Sequence, residues 1–323
     1  MHCIPRRPRP DRAFWLIGFT VVSIACAVPS GLAVAAEAAP RVAASCLVSG
    51  VWRLTLFDPS TGDATLIDAG TSEGHAPSFA TRRPRIAFSD GLGGLVVAEP
   101  RRPVTPGLVV EPLGPVVEGL QPAPSPDGER LAFSRLTFAS RSEDSELWVL
   151  DLGDRSERSL HPQGGLQKYP AWSPDGARLA YTSGRRVSPT RVVEDLWLID
   201  AQGPQPEPLL ANGSSNIQPD WSPNGQWLAY ASDLAGQLCI WLIPVVGGEP
   251  RRLTQAPAMD ADPAWSPDGA QIAFVSTRAG QMDIWLMAAD GSGQRQLTGH
   301  GDQVECKDPA WLPSSEAWAQ WRR

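Results

Sequence analysis

Apolar and polar positions alternate with period two in short runs along most of the chain. Glu146-Leu147-Trp148-Val149-Leu150-Asp151, Asp195-Leu196-Trp197-Leu198-Ile199-Asp200, Cys239-Ile240-Trp241-Leu242-Ile243 and Asp283-Ile284-Trp285-Leu286-Met287 are the clearest. Each reads as a half-buried or buried strand, and Gly and Pro punctuate the gaps between runs. The 3.6-residue spacing that helical repeats require is missing from them.

The runs come in sets, and each set is introduced by one phrase. Pro263-Ala264-Trp265-Ser266-Pro267-Asp268-Gly269 recurs as Pro170-Ala171-Trp172-Ser173-Pro174-Asp175-Gly176 and as Pro219-Asp220-Trp221-Ser222-Pro223-Asn224-Gly225. A fourth copy, Pro122 to Gly128, has Pro124 in place of the Trp. The glycines at 128, 176, 225 and 269 are 48, 49 and 44 residues apart. A short apolar run that ends in Ser-Pro-Asp-Gly, followed by a run such as Leu179-Ala180-Tyr181, is a strand, a tight turn and a strand. The Trp-containing run then supplies a third strand, and Arg251-Arg252-Leu253-Thr254 or Gln294-Arg295-Gln296-Leu297-Thr298 a short fourth. Four antiparallel strands at this period make one propeller blade. The prediction is an all-β chain, a six-bladed β-propeller of four-stranded antiparallel blades.

Its closure is predicted from the ends. Trp52 to Asp58 and Thr65 to Asp68 match the third and fourth strands of a blade, while Pro309-Ala310-Trp311 and Trp318-Ala319-Gln320-Trp321 match the first two. Joined, the N- and C-terminal strands share one blade and remove the free edges. Cys46-Leu47-Val48-Ser49 competes with the C-terminal run for the second place.

The Trp-Ser-Pro-Asp-Gly phrase, followed by Ile272-Ala273-Phe274 and Ile284-Trp285-Leu286-Met287, resembles the propeller repeats of the TolB family, periplasmic proteins of the Tol–Pal system. The resemblance covers about residues 46 to 323, the propeller only, with no counterpart expected for the α/β domain that precedes it in TolB. It implies a blade type shared by transport proteins, peptidases and lyases rather than one activity. Related peptidases add an α/β-hydrolase domain, and related pectin lyases hold a metal with propeller histidines.

Residues 1 to 35 are different material. Arg6, Arg7, Arg9 and Arg12 precede a 14-residue apolar run, Phe14 to Ala27, and Ala33-Val34-Ala35 supplies small residues at signal-peptidase spacing. That is a secretory signal peptide, too short for the ~20 residues of a membrane helix. The protein is therefore expected in the periplasm or secreted, with a lipoprotein anchored at Cys26 as the alternative; residues 36 to 45 read as a linker and 46 to 323 as the propeller. The chain has 28 basic and 35 acidic residues; without the four arginines and Asp11 of the leader, 24 and 34 remain, a net of −10. That balance argues against nucleic acid or an anionic membrane as a partner and suits basic protein segments or cations. An exported chain can form disulfides; Cys239 reads as a buried thiol, and closure would bring Cys46 and Cys306 into one blade, paired or not.

No nucleophile elbow, phosphate-binding loop or zinc-protease motif occurs, and no cofactor or metal is expected. The repeated Trp172, Trp221, Trp265 and Trp311 read as packing between blades, and Asp175 and Asp268 as turn residues. Binding residues concentrate on loops held by a rigid scaffold. The connections that lead into each blade carry Glu73 and His75, Glu118, Lys168, Asn216, Asp260 and Asp262, then Asp302, Glu305 and Asp308. Glu73, His75, Asp260, Asp262, Asp302, Glu305 and Asp308 are the candidate binding set, an acidic channel mouth. The reading is a non-enzymatic, monomeric scaffold that binds another envelope protein or peptide segment. The alternatives are a lyase or glycan-acting hydrolase using channel carboxylates and a metal, and a small-ligand sensor.

Overall fold

The computed structural model describes residues 40–71, 73–101, 108–114, 117–137, 144–160, 165–188, 191–203, 205–255, 257–299, 305–314 and 318. Among them there is no α-helix, and so none long and apolar enough to cross a membrane. The expected leader and most of the expected linker lie outside the described residues.

The strands form antiparallel units in chain order. The first unit holds β1 (Val42–Val48), β2 (Val51–Phe57) and β3 (Ala64–Asp68). Next come β4 (His75–Phe79), β5 (Ile86–Ser89), β6 (Gly94–Arg101) and β7 (Leu108–Pro112), with the short β8 (Val117–Glu118) also on β6. Then follow β9 (Leu120–Pro124), β10 (Arg130–Thr137), β11 (Asp144–Asp151) and β12 (Glu157–Ser159). β13 (Leu166–Trp172), β14 (Arg178–Ser188), β15 (Arg191–Asp200) and β16 (Pro206–Leu210) form another. β17 (Asn216–Trp221), β18 (Trp227–Ser232), β19 (Cys239–Pro244) and β20 (Arg251–Arg252) repeat the plan. So do β21 (Asp260–Trp265), β22 (Gln271–Ser276), β23 (Asp283–Ala288) and β24 (Arg295–Gln296). The last strand, β25 (Cys306–Trp311), returns to pair with β1.

Period two explains the stacking of the units. On β22, Ile272 and Phe274 join a core with Ala229, Ala231, Ile240 and Leu242 of the preceding unit. Their neighbours Ala273 and Val275 point the other way, into a core with Trp311, Cys46 and Phe57 of the closing unit. Strand β22 thus has two dry faces, and burying each large apolar side chain contributes about 1.5–3 kcal/mol. Four-stranded sheets packed face to face in sequence are the architecture of a β-propeller.

The Ser-Pro-Asp-Gly turns form as the residues dictate. Gly176 and Gly269 donate to the carbonyls of Ser173 and Ser266 at 2.8 and 2.9 Å, with φ of 76° and 71°. Ser173 donates to Asp175 Oδ1 at 2.5 Å and Ser266 to Asp268 Oδ1 at 2.6 Å; each carboxylate also receives a backbone N–H two residues on. Those bonds to Ser173 and Ala177 hold the Asp175 carboxyl below the usual range. Both aspartates are turn residues.

Closure differs from the expected division. The N-terminal segment supplies three strands of the closing unit and the C-terminal segment a single strand, because β1 takes the second place. Val42, Ala43, Ala44 and Cys46 are fully buried, so small side chains let β1 lie flush between β2 and β25. Residues 42 to 45, expected in the linker, therefore belong to the first strand. Trp318, expected on a strand, instead packs edge-on against Phe79 and donates to Ala80 O at 2.9 Å; Ala319, Gln320 and Trp321 lie outside the described residues. Cys46 faces Cys306 in register and the two form a disulfide that spans 260 residues of sequence. Cys239 is a buried free thiol.

Candidate functional site

The innermost strands β4, β9, β13, β17, β21 and β25 line a central channel. Just inside its entrance, each of these strands breaks register with its partner, so that two residues oppose one. The first of the two has positive φ: Ala76 48°, Gln121 55°, Tyr169 53°, Gln218 57°, Asp262 49° and Asp308 52°. The second is always Pro, which has no N–H to lose at a bulge. Positive φ is unusual for a residue other than glycine. Ala76 shares it with the polar positions, so the bend belongs to the blade, while the side chain it projects changes from unit to unit.

These residues form a collar. Gln121 Oε1 accepts from Tyr169 N at 3.0 Å, and Gln218 Oε1 from Asp262 N at 3.2 Å. Asp308 Oδ2 accepts from Ala76 N at 3.2 Å, which ties the last inner strand to the first complete unit. Below the collar, Asp220 Oδ2 accepts from Trp265 N at 2.7 Å. From the collar a cavity of about 510 Å³ runs to the prolines of the turns, Pro126, Pro174, Pro223 and Pro267. Its wall is Pro, Ala and Trp from the inner strands.

The tryptophans serve the wall and the packing together. Trp172 Nε1 donates to Ala123 O at 2.9 Å, Trp221 to Ala171 O at 3.1 Å and Trp311 to Ala264 O at 3.0 Å, each bond joining one unit to the one before. Trp265 is partly buried against the core of the same seam, and its Nε1 has no partner among the described residues.

Burial, then the charge of Asp308, pushes the Asp262 carboxyl up to about 8, against the pull of Lys307 and a Gln218 hydrogen bond. Burial pushes Asp220 up to about 7, although the Trp265 and Trp221 amides favour its charge. Tyr169 rises to about 12 through burial and the charges of Asp262, Glu194 and Asp308. The collar end of the channel thus gathers two carboxyls and a tyrosine, with Lys307 Nζ 4.0 Å from Asp308 Oδ2.

The structure sorts the candidate set. Asp262 and Asp308 line the cavity. Glu73 and His75 pair at 3.2 Å beside it, where the His75 ring stands 5.5 Å from Trp52 and Lys307 Nζ lies 4.6 Å over the same indole. Glu305 is half-buried next to β25, its carbonyl accepting from Leu47 N at 2.8 Å. Asp260 leaves the set: it is fully buried, and Arg278 Nη2 donates to both its oxygens at 2.9 and 2.8 Å. The strand has already begun at Asp260, so its side chain turns inward to an arginine stacked 4.6 Å over Trp285. Asp302 lies outside the described residues. Of the other connection residues, Lys168 pairs with Glu194 at 3.6 Å and Asn216 is fully buried. Among the described residues no group of three or more His, Cys, Asp or Glu is placed to hold a metal.

Sequence reasoning missed Gln121, Tyr169, Gln218 and Asp220. For the first three the signal was the residue before the Pro of each repeat, varied in chemistry while that Pro is constant.

Residues 194–320 match the family described as TolB beta propeller domain. No curated protein matches the chain. Among solved structures, TolB from Acinetobacter baumannii is similar with a TM-score of 0.67 and 19% identity, over 86% of this chain and 67% of that one. A structure described as TolB from Agrobacterium tumefaciens gives 0.63 and 21% identity, over 85% and 99%. An oligogalacturonate lyase in complex with manganese gives 0.50 and 18%, over 78% and 72%. Identities this low speak for the fold alone, and with 877 matching chains the fold selects no single function.

Proposed function

From the premise that this chain carries a TolB-like propeller, we propose that it is an exported scaffold that binds a positively charged segment of another cell-envelope protein at the collar end of its channel. The observation that carries the reading is the pair Asp262 and Asp308 on the collar of an apolar-walled cavity. Glu73 and Glu305 extend the acidic surface beside them. A mature net charge of −10, with 24 basic and 34 acidic residues after the leader, favours a basic partner. The Cys46–Cys306 disulfide suits an oxidising compartment, as the leader does. Six blades, one of them shared by the two ends, are the count that the six bulged inner strands support.

The test is association kinetics between the mature protein and a partner recovered from envelope extracts. Exposed ion pairs contribute only ~0.2–1 kcal/mol each, so several must be removed together. The combined change Glu73→Gln, Glu305→Gln and Asp308→Asn is expected to slow association and flatten its salt dependence while leaving the fold intact. An unchanged rate and slope would refute the reading. Turnover of a polysaccharide or peptide by the wild type, lost in Asp262→Asn, would replace it with the enzymatic alternative.

A further inference from the structure

The cavity joins two surfaces that suit one kind of guest. Its wall of proline, alanine and tryptophan is apolar, and its collar end carries Tyr169, Gln218, Asp262 and Asp308. The two carboxylates stand on neighbouring inner strands, with one lysine, Lys307, beside Asp308. Lys307 Nζ is 4.0 Å from Asp308 and is already held over the Trp52 ring; Lys168 is turned to Glu194. Among the described residues, Asp220 stands deeper in the channel and the Glu73–His75 pair beside it. The walls suit a carbon chain better than a hydrated divalent ion, which keeps its water and asks for oxygen ligands.

We propose that the cavity binds an alkylammonium group, its charged head between Asp262 and Asp308 and its carbon stem along the proline and tryptophan wall. The inference rests on the reading that the acidic end of the channel receives positive charge, and it names the chemistry of what enters. An ammonium has three donors, which the two carboxylates and the Tyr169 oxygen can accept. Binding favours ionised carboxylates, so affinity rises as pH climbs through about 8, the value to which Asp262 is pushed. An alkyl amine stays protonated throughout, with its own value near 10.4. A lysine side chain of a partner and a free diamine share this chemistry.

Isothermal titration of the mature protein separates them. The probes are 1,5-diaminopentane, a short blocked peptide with one central lysine, and the same peptide with norleucine in its place. The lysine peptide is expected to bind and the norleucine peptide to bind at least about tenfold more weakly, the loss of charge-assisted hydrogen bonds. Asp262→Asn should weaken the lysine peptide by a similar factor and remove the rise between about pH 6 and 9. Binding of the diamine as well assigns the site to the free amine too; binding of the peptide alone assigns it to a protein segment. Equal binding of lysine and norleucine peptides, or no binding by either amine, overturns the proposal without any variant. If the envelope partner associates with its expected salt slope while no amine enters, this inference fails alone; if amines bind and no partner is found, the scaffold reading fails alone.

Discussion

The two ends of each inner strand behave differently. At the turn end, Trp-Ser-Pro-Asp-Gly repeats with little change, and its copies make the same bonds: serine to carboxylate or amide, glycine N–H to serine carbonyl, tryptophan Nε1 to the previous unit at Trp172, Trp221 and Trp311. At the collar end the backbone is equally constant, with the same bulge and the same positive φ, yet the side chain is Ala, Gln, Tyr, Gln, Asp and Asp in turn. Constancy of both backbone and side chain marks what each blade needs to fold. Constancy of backbone with varied side chains marks positions that the fold holds in place but does not choose. The turn end is scaffold; the collar end is the candidate site.

This contrast can be broken most forcefully at the seams. Trp172 is buried, with its indole N–H satisfied across the seam, and Trp172→Ala should cost about 3–5 kcal/mol in chemical denaturation. A loss no larger than that of a surface change would remove the tryptophans from the scaffold. The disulfide comes next. The double change Cys46→Ser and Cys306→Ser should cost about 2–5 kcal/mol, because the closed loop spans 260 residues of sequence. An unchanged midpoint would mean that strand pairing alone closes the ring.

The collar should respond with the opposite sign. Asp262 is pushed up to about 8, above the ordinary aspartate value, so the folded protein holds its proton more tightly than the unfolded chain. The stability this contributes is complete below about pH 4 and lost as pH rises through about 8. Asp262→Asn should therefore match the wild type at acid pH and exceed it by on the order of 2 kcal/mol at pH 9, with a smaller slope left to Asp220. Equal pH profiles in thermal unfolding would show that the carboxylate is not confined. The smallest effect belongs to one turn: Ser266→Ala loses a bond to Asp268 and one from Gln271 N, about 1 kcal/mol, without touching the collar.

The scaffold was legible in the sequence because its residues recur. Period two, the turn phrase and the spacing of tryptophans pointed to blades, turns and seams, and the ends were seen to meet. The share of strands at closure was misjudged: Trp318 packs on Phe79 instead of joining a strand, while Val42-Ala43-Ala44-Ser45 lacks contrast because both its faces are buried. The candidate site was half legible. Asp262 and Asp308 were found as acids near a channel, but Asp260, equally acidic, is neutralised by Arg278, a pairing no local pattern reveals. Gln121, Tyr169 and Gln218 escaped because a repeat is recognised by what its copies share, and these positions share only a backbone angle.

Hydrogen–deuterium exchange of the mature protein, with and without the lysine peptide, tests the division of the inner strands most directly. The account predicts protection at the collar amides, those of Tyr169 and Asp262 among them, and no change in the segments around Gly176, Gly225 and Gly269. Protection confined to the turn segments or to the outer strands, with the collar unaffected, would contradict it.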